Sequence, residues 1–514
     1  MPNKLVLTFD VGTQSTRAML VNKQGRLEDV CQYSYETQYF SKQHGWAEQH
    51  PDFYFDAICR VSKEICEKNQ DKLSDVIAVT LTVIRDSVLC LDKNNKALRD
   101  IILWLDERQA KNDEPFGLLK KGIFKLVKME ETVKNQARNS VCNWIMENEP
   151  EIWKKTEKYV MLPTYLNYRL TGRLCDSAAN MVGHVPFDYK NRRWMTKNNL
   201  TRCVCDVPLE KLCELVPSGE VIGTIGKEIS GLTGIPEGLP LIATGSDKGC
   251  ETLGLSVLKD NQAAVSFGTT ATVQMMVKDY FEPQQFLPAY PAVPNDMYNP
   301  EFQVYRGYWM VSWFVKEFAE EERKEAKEKG WSVERVLDSH LDDVPPGCDG
   351  LVLQPYWTPG IANPLAKGAM IGFSDVHTRR HFYRAIVEGI DLALLDGLKM
   401  MEKRSGKKIT EIFVGGGGSK SPAVCQILSD VTGLPVKCIQ THEACGLGSS
   451  MVAFVAKGEF KSYEEATENM VQIRKTFDPN MKNHELYLKT YKNVYSKMYP
   501  KLEPIYKRLR KIYK

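Results

Sequence analysis

The sequence contains no uninterrupted apolar run approaching the length of a membrane span, and Met1-Pro-Asn-Lys4 leads directly into a strand-like segment, leaving no room for a signal peptide. It also lacks an excess of charge of one sign. With 68 basic against 65 acidic residues the net charge is +3, so no global field points to nucleic acid. Zinc-type spacing is missing as well: Cys203-Val-Cys205 is too close for the usual paired ligands and has no suitable second pair. The 14 cysteines are scattered, which in a reducing compartment reads as buried thiols and not as a disulfide scaffold. His377 and His381 stand at i, i+4, but no Glu follows His377, so capping or surface packing is the expected role. What remains is a cytoplasmic protein acting on a small molecule, without nucleic acid or membrane as partner; a homodimer is compatible with it.

A chain of 514 residues with 43% apolar residues is too long for one core. Its opening stretch, Leu5-Val-Leu-Thr-Phe-Asp10-Val-Gly12-Thr13-Gln14-Ser15-Thr16-Arg17, reads as a buried strand, a tight turn and a second strand. Asp10 then stands at a strand end beside backbone N–H groups and hydroxyls, a setting for a phosphate chain on one side and hydrated Mg2+ on the other. An ordinary hairpin is the plain alternative. Ala263-Ala-Val-Ser-Phe-Gly268-Thr269-Thr270 repeats the design half a chain later, and Gly415 to Ser421 forms a third glycine turn running into a helix-spaced segment. The repetition favours two domains, residues 1–254 and 255–514, with a nucleotide cleft between them.

Within the first half, Phe55, Ile58, Val61 and Ile65 recur at helical spacing, and Val76 to Thr82 is a strand ending at Arg85-Asp86. Trp104, Asp106 and Arg108 follow another apolar run. Each charged residue alone reads as a surface ion pair; together at strand ends they suit a polyhydroxylated substrate, with Trp104 covering an apolar sugar face. Leu239 to Gly249 is a strand running into Gly245-Ser246-Asp247, where an isolated Asp at a helix start is more often a cap.

These stretches together resemble the FGGY family of carbohydrate kinases, from the first strand to about residue 460. The resemblance implies an α/β fold of two ribonuclease H-like, actin-like ATPase domains. It reverses the reading of Asp247, making it the catalytic base that takes the proton of the attacking sugar hydroxyl while ATP donates its γ-phosphoryl group. It implies that Asp10 holds Mg2+, that Thr13, Gln14, Ser15, Arg17, Gly268 and Thr269 bind phosphates, and that Gly416, Gly417 and Ser421 receive the adenosine. Arg85, Asp86, Trp104, Asp106 and Asp247 would bind a sugar, ketose or polyol. Arg85-Asp86 stands where glycerol kinases carry an Arg-Glu pair, and the shorter acid leaves room for a larger substrate. The segment Gly368 to Gly389 is similar to the family's second signature, departing at Phe373, and most of it is expected to pack a helix. Val141 replaces the lysine of the first signature, and Tyr308-Trp309 are expected to narrow the approach to the phosphates. Tyr487, Tyr491, Tyr495 and Tyr499 form a packing stripe. Glycerol kinase proper and a catalytically silent actin-like ATPase or sugar sensor are the competing readings.

Overall fold

The computed structural model describes residues 4–111, 116–127, 129–285, 287–360 and 363–513. Residues 1–3, on which the absence of a leader was read, lie outside them. Contacts divide the chain into two units: residues 1–254, 290–297 and 445–470, and residues 255–289, 298–444 and 471–514. Two segments of the second half of the sequence thus fold with the first unit.

The first unit is built on a six-stranded sheet in the order Leu27–Ser34, Ser15–Asn22, Leu5–Val11, Val76–Val83, Pro240–Ile242, Val221–Thr224. Successive neighbours are antiparallel, antiparallel, parallel, parallel and antiparallel. The second unit's sheet, Glu301–Val304, Ala271–Gln274, Gln262–Phe267, Glu411–Gly415, Val436–Ile439, Ile473–Phe477, repeats that succession of directions. The duplication of glycine turns in the sequence is therefore a duplication of whole sheets. Central parallel strands are covered on both faces, which is why Leu5, Val6, Leu7 and Phe9 are all fully buried and read as a continuous apolar run.

Parallel neighbours require long crossovers, and these carry the helices. Phe53–Lys68 buries Phe55, Ile58, Val61 and Ile65, the stripe its periodicity predicts. Arg379–Ser405 buries Ile386, Ile390, Ala393 and Leu394. Its glycines allow close packing: a Cβ at Gly389 would stand 2.7 Å from the Leu353 carbonyl oxygen, and one at Gly397 2.4 Å from the Phe302 ring. The second-signature segment thus mainly packs this helix. His381 caps the same helix through Thr378 and lies 3.2 Å from Asp349 Oδ2, and His377 accepts the Ser374 N–H at 2.9 Å and reaches the Cys348 carbonyl oxygen at 3.0 Å, so both histidines serve capping and packing. Tyr487 and Tyr495 are buried in the core, with Tyr491 packed against it. All 14 cysteines are free thiols. Among the described residues no helix is long and apolar enough to cross a membrane.

The helix Ala444–Ala456, apart from its first residue, belongs to the first unit. Ser449 Oγ lies 2.5 Å from Thr8 Oγ1 and 3.2 Å from Thr80 Oγ1, which satisfies hydroxyls buried on that face of the sheet. Gly448 lets it approach the helix Asp247–Gly254 so closely that an added Cβ would stand 1.9 Å from the Cys250 carbonyl oxygen. Gly448→Ala is expected to cost at least the ~1–3 kcal/mol typical of overpacking, because backbone must yield. Gly231→Ala, in the helix Lys227–Thr233 with nothing within 4 Å of its Cβ, should be neutral or slightly stabilising. Urea unfolding of the two variants checks this; equal midpoints would refute the close approach.

Candidate active site

In the first unit, Leu5–Val11, Val76–Val83 and Pro240–Ile242 run parallel, so their carboxyl ends share one edge of the sheet. Open α/β sheets bind ligands at that edge. It carries Asp10 and the Gly12 turn, Arg85-Asp86, and Ser246-Asp247.

Asp10 pairs directly with Arg17 in the ladder, and the turn is closed by Gly12 N–H donating to Ser15 O at 2.9 Å. The Asp10 carboxylate is 14% exposed; Oδ2 lies 3.5 Å from Arg17 Nη1, and Oδ1 accepts the Thr82 hydroxyl at 3.4 Å. Thr13 is half-buried, Gln14 exposed and Ser15 buried. Thr13 Oγ1 accepts the Trp104 indole N–H at 3.1 Å, so Trp104 is anchored at its edge to the turn.

Asp247 opens the helix Asp247–Gly254, but the capping role falls to its neighbour. Ser246 Oγ accepts the Gly249 N–H at 3.2 Å, and Ser246 O accepts the Cys250 N–H at 2.9 Å. Asp247 Oδ1 accepts the Lys248 N–H at 2.8 Å and lies 3.3 Å from Arg85 Nε, with the carboxylate 31% exposed. The Arg85 guanidinium stands 5.9 Å from the Tyr290 ring centroid.

Asp86 has φ +53, and both its oxygens are engaged by His184: Oδ1 accepts the backbone N–H at 2.8 Å, and Oδ2 lies 2.8 Å from Nδ1. Burial alone would raise the Asp86 carboxyl, but the charge and hydrogen bonds of His184, with Arg85, hold it below the usual carboxylate range. His184 is correspondingly raised, its desolvation outweighed by Asp86. The sequence reading missed His184 and Tyr290. The only local signal for His184 is a Gly183-His184 pair interrupting an apolar stretch, and Tyr290 belongs to a segment that leaves the second half for the first unit.

Asp106 departs from its expected role. Its carboxylate is 1% exposed and accepts four N–H groups: Ala47 N at 2.6 Å, Arg108 N at 2.9 Å, Arg108 Nε at 2.7 Å and Arg108 Nη2 at 2.8 Å. Arg108 also reaches Glu48 Oε1 at 3.0 Å and lies between Trp46 and Trp144, 3.9 and 4.6 Å from their centroids. A carboxylate so enclosed orients Arg108 and the chain around Ala47 and offers no surface to a sugar.

In the second unit the Gly268-Thr269 turn occupies the same topological place as the Gly12 turn, and the turn after Glu411–Gly415 the same place as Arg85-Asp86. Gly416 has φ +76 and its Cβ would stand 2.8 Å from the Phe267 carbonyl carbon, so only glycine fits. Gly417 is exposed, with nothing within 4 Å of a Cβ, leaving its backbone open to a flat ligand. Thr269 is exposed, and Gly268 O accepts the Tyr308 N–H at 3.1 Å. Ser421 is buried and caps the helix Pro422–Thr432 by accepting the Val424 N–H, which makes it a support of this turn. Tyr308 is partly buried beneath the turn, its ring 5.0 Å from that of Phe267 and 2.6 Å from where a Gly418 Cβ would stand, so it packs under the turn.

Residues 5–254 match the family model described as FGGY family of carbohydrate kinases, N-terminal domain, and residues 263–457 that of the C-terminal domain. The chain is 27% identical over 508 residues to a xylulose kinase of Lactococcus lactis, covering 95% of this chain and 96% of the relative. It is 27% identical over 490 residues to a glycerol kinase of Nitratidesulfovibrio vulgaris, covering 93% and 94%. The crystal structure of a ligand-bound xylulose kinase from Lactobacillus acidophilus shares the two-domain actin-like fold at TM-score 0.82 and 21% identity, over 98% of this chain and 100% of that one.

Proposed function

The chain belongs to the FGGY family of carbohydrate kinases, phosphotransferases with an alcohol group as acceptor, and from that premise we propose that Asp247 is the base in transfer of the ATP γ-phosphoryl group to a sugar or polyol hydroxyl. The observation that carries this is the division of labour at one helix start. Ser246 caps, while Asp247 stands a third exposed beside Arg85 at the ligand-binding edge of the sheet. The hydroxyl proton passes to an Asp247 carboxylate oxygen as the hydroxyl oxygen attacks the γ-phosphorus and the bond from that phosphorus to the β,γ-bridging oxygen breaks, so that ADP leaves. Arg85 fixes the rotamer of Asp247 and donates to a neighbouring substrate oxygen, and Trp104, held by Thr13, covers an apolar face of the sugar.

Thr13, Gln14, Arg17, Gly268 and Thr269 are assigned to the phosphates, and Gly416 and Gly417 to ribose and adenine. Ser15 and Ser421, both buried, support these turns. The oxygens at Asp10 fit Mg2+: a partly exposed carboxylate beside the Thr82 hydroxyl suits an ion that keeps several waters and shares phosphate oxygens, while the Arg17 guanidinium next to it is left for the phosphates. Bound there, Mg2+ would neutralise charge developing on the phosphate oxygens. We place the enzyme in the cytoplasm, in keeping with 14 free thiols.

Arg85→Ala tests the assignment. Loss of charge-assisted hydrogen bonds, ~1.5–3 kcal/mol, should raise the sugar KM about 10- to 100-fold and leave the ATP KM within a few-fold. Steady-state kinetics in both substrates decide it: an equal rise in the two would mean that Arg85 serves the fold and not the sugar.

A further inference from the structure

The acid after the Val76–Val83 strand was read as an acceptor for substrate hydroxyls, yet the structure has turned it inward. Asp86 sits at φ +53, a conformation that disfavours a side chain, and spends both oxygens on His184. The approach is tight: a Cβ at Gly183 would stand 2.3 Å from Asp86 Oδ1, and Gly183 itself has φ +136, so only glycine allows the contact. The backbone carrying His184 is held from two further sides. Tyr189 Oη donates to Gly183 O at 3.1 Å, and Cys205 Sγ donates to His184 O at 3.2 Å. Tyr189 packs edge-on against Tyr290 at 5.5 Å, and Tyr290 underlies Arg85, the partner of Asp247. A continuous set of contacts therefore joins Asp247, Arg85, Tyr290, Tyr189, Gly183 and the Asp86–His184 pair.

We propose that His184 is a specificity-determining residue: Asp86 pairs with the imidazolium through Nδ1, so that its second N–H, at Nε2 and with no hydrogen-bond partner among the described residues, is presented as a donor to a substrate oxygen carrying no proton of its own, a ketose carbonyl or an aldonate carboxylate. The inference rests on the kinase reading of this site and names the class of its substrate. It exchanges an acceptor for a donor. A free acid at this position accepts from hydroxyls and suits a polyol, whereas a histidine locked by that acid gives a hydrogen bond and suits an sp2 oxygen. The His184 side chain is 26% exposed and the Asp86 carboxylate 27%, so the pair is half sheltered and within reach of a ligand. Their opposite displacements, carboxyl lowered and imidazole raised, favour the doubly protonated ring, with Nε2 carrying hydrogen.

The test is equilibrium binding by titration calorimetry, without ATP, of D-xylulose, D-gluconate and the alditol D-arabinitol to the parent, His184→Ala and His184→Gln, with a melting curve for each. His184→Ala should weaken D-xylulose or D-gluconate about 10- to 100-fold while D-arabinitol and, separately, ATP stay within about three-fold. His184→Gln, which keeps an N–H donor, should recover part of the loss. Which of the two sugars responds separates carbonyl from carboxylate. An equal loss for the alditol, no loss for either sugar, or a parent that binds neither of them overturns the proposal. Because these measurements involve no turnover, failure of Asp247 as the base would leave them unaffected and would show only in kcat.

Discussion

Asp247→Asn is expected to lower kcat by about 100- to 10,000-fold, the usual loss on removing a general base, while ATP binding and folding persist. The reason folding persists lies in the neighbouring residue. Ser246 supplies the cap to Gly249 N–H, and an asparagine at 247 keeps the Oδ1 that accepts the Lys248 N–H. The charge lost at the start of an eight-residue helix is worth ~0.3–1 kcal/mol, which a melting curve resolves as a small shift. An amide cannot take the hydroxyl proton. The nucleotide groups at Thr13, Thr269 and Gly417 are unchanged, so the ATP Kd should move by no more than a few-fold. Turnover within a few-fold of the parent would remove Asp247 from the chemistry. A collapse of kcat together with a large fall in Tm would instead assign it to the helix.

Asp106→Ala should give the opposite pattern, a large loss of stability with the sugar site intact. The change leaves the Arg108 guanidinium, 1% exposed between Trp46 and Trp144, with Glu48 as its remaining carboxylate. Glu48 is itself 0% exposed and shared with Arg99 at 2.5 Å. Breaking a buried pair from one side costs ~3–5 kcal/mol because a desolvated charge is left behind, a large part of the ~5–15 kcal/mol that holds a typical domain. Urea unfolding should therefore show a much lower midpoint. The folded fraction, assayed at low temperature, should keep the parent's sugar KM to within a few-fold. A stable Asp106→Ala protein with a greatly raised sugar KM would return Asp106 to the substrate.

Asp86, Asp106 and Asp247 are alike in the sequence, each an acid after an apolar run, and the fold gives them three fates. Asp247 faces the sheet edge beside Arg85, Asp86 is absorbed by His184, and Asp106 is enclosed with Arg108. Nothing local separates them, because the distinction depends on what later chain covers the strand end. His184 lies 98 residues beyond Asp86, and Trp104 lies 91 residues beyond the Thr13 that anchors it. Tyr308 shows the same limit: its aromatic bulk was legible, but its place beneath Gly418 and against Phe267 follows from the packing of the second unit's turn.

The sequence by itself determined the strand–turn–strand units at Asp10 and Gly268, the helix burying Phe55, Ile58, Val61 and Ile65, the long helix after Thr378, and through these the family. Such features follow from residues within one or two turns of each other, where the periods of strand and helix decide which side chains face the core. Only the tertiary structure decided that Ser246 and not Asp247 caps its helix, that the segments 290–297 and 445–470 join the first unit, and that Asp86 answers to His184. Parallel strands are joined by long crossovers, so groups that meet at their carboxyl ends are remote in sequence, and which of them meet is fixed by strand order and close packing, as Gly183 against Asp86 and Gly448 against Cys250 show.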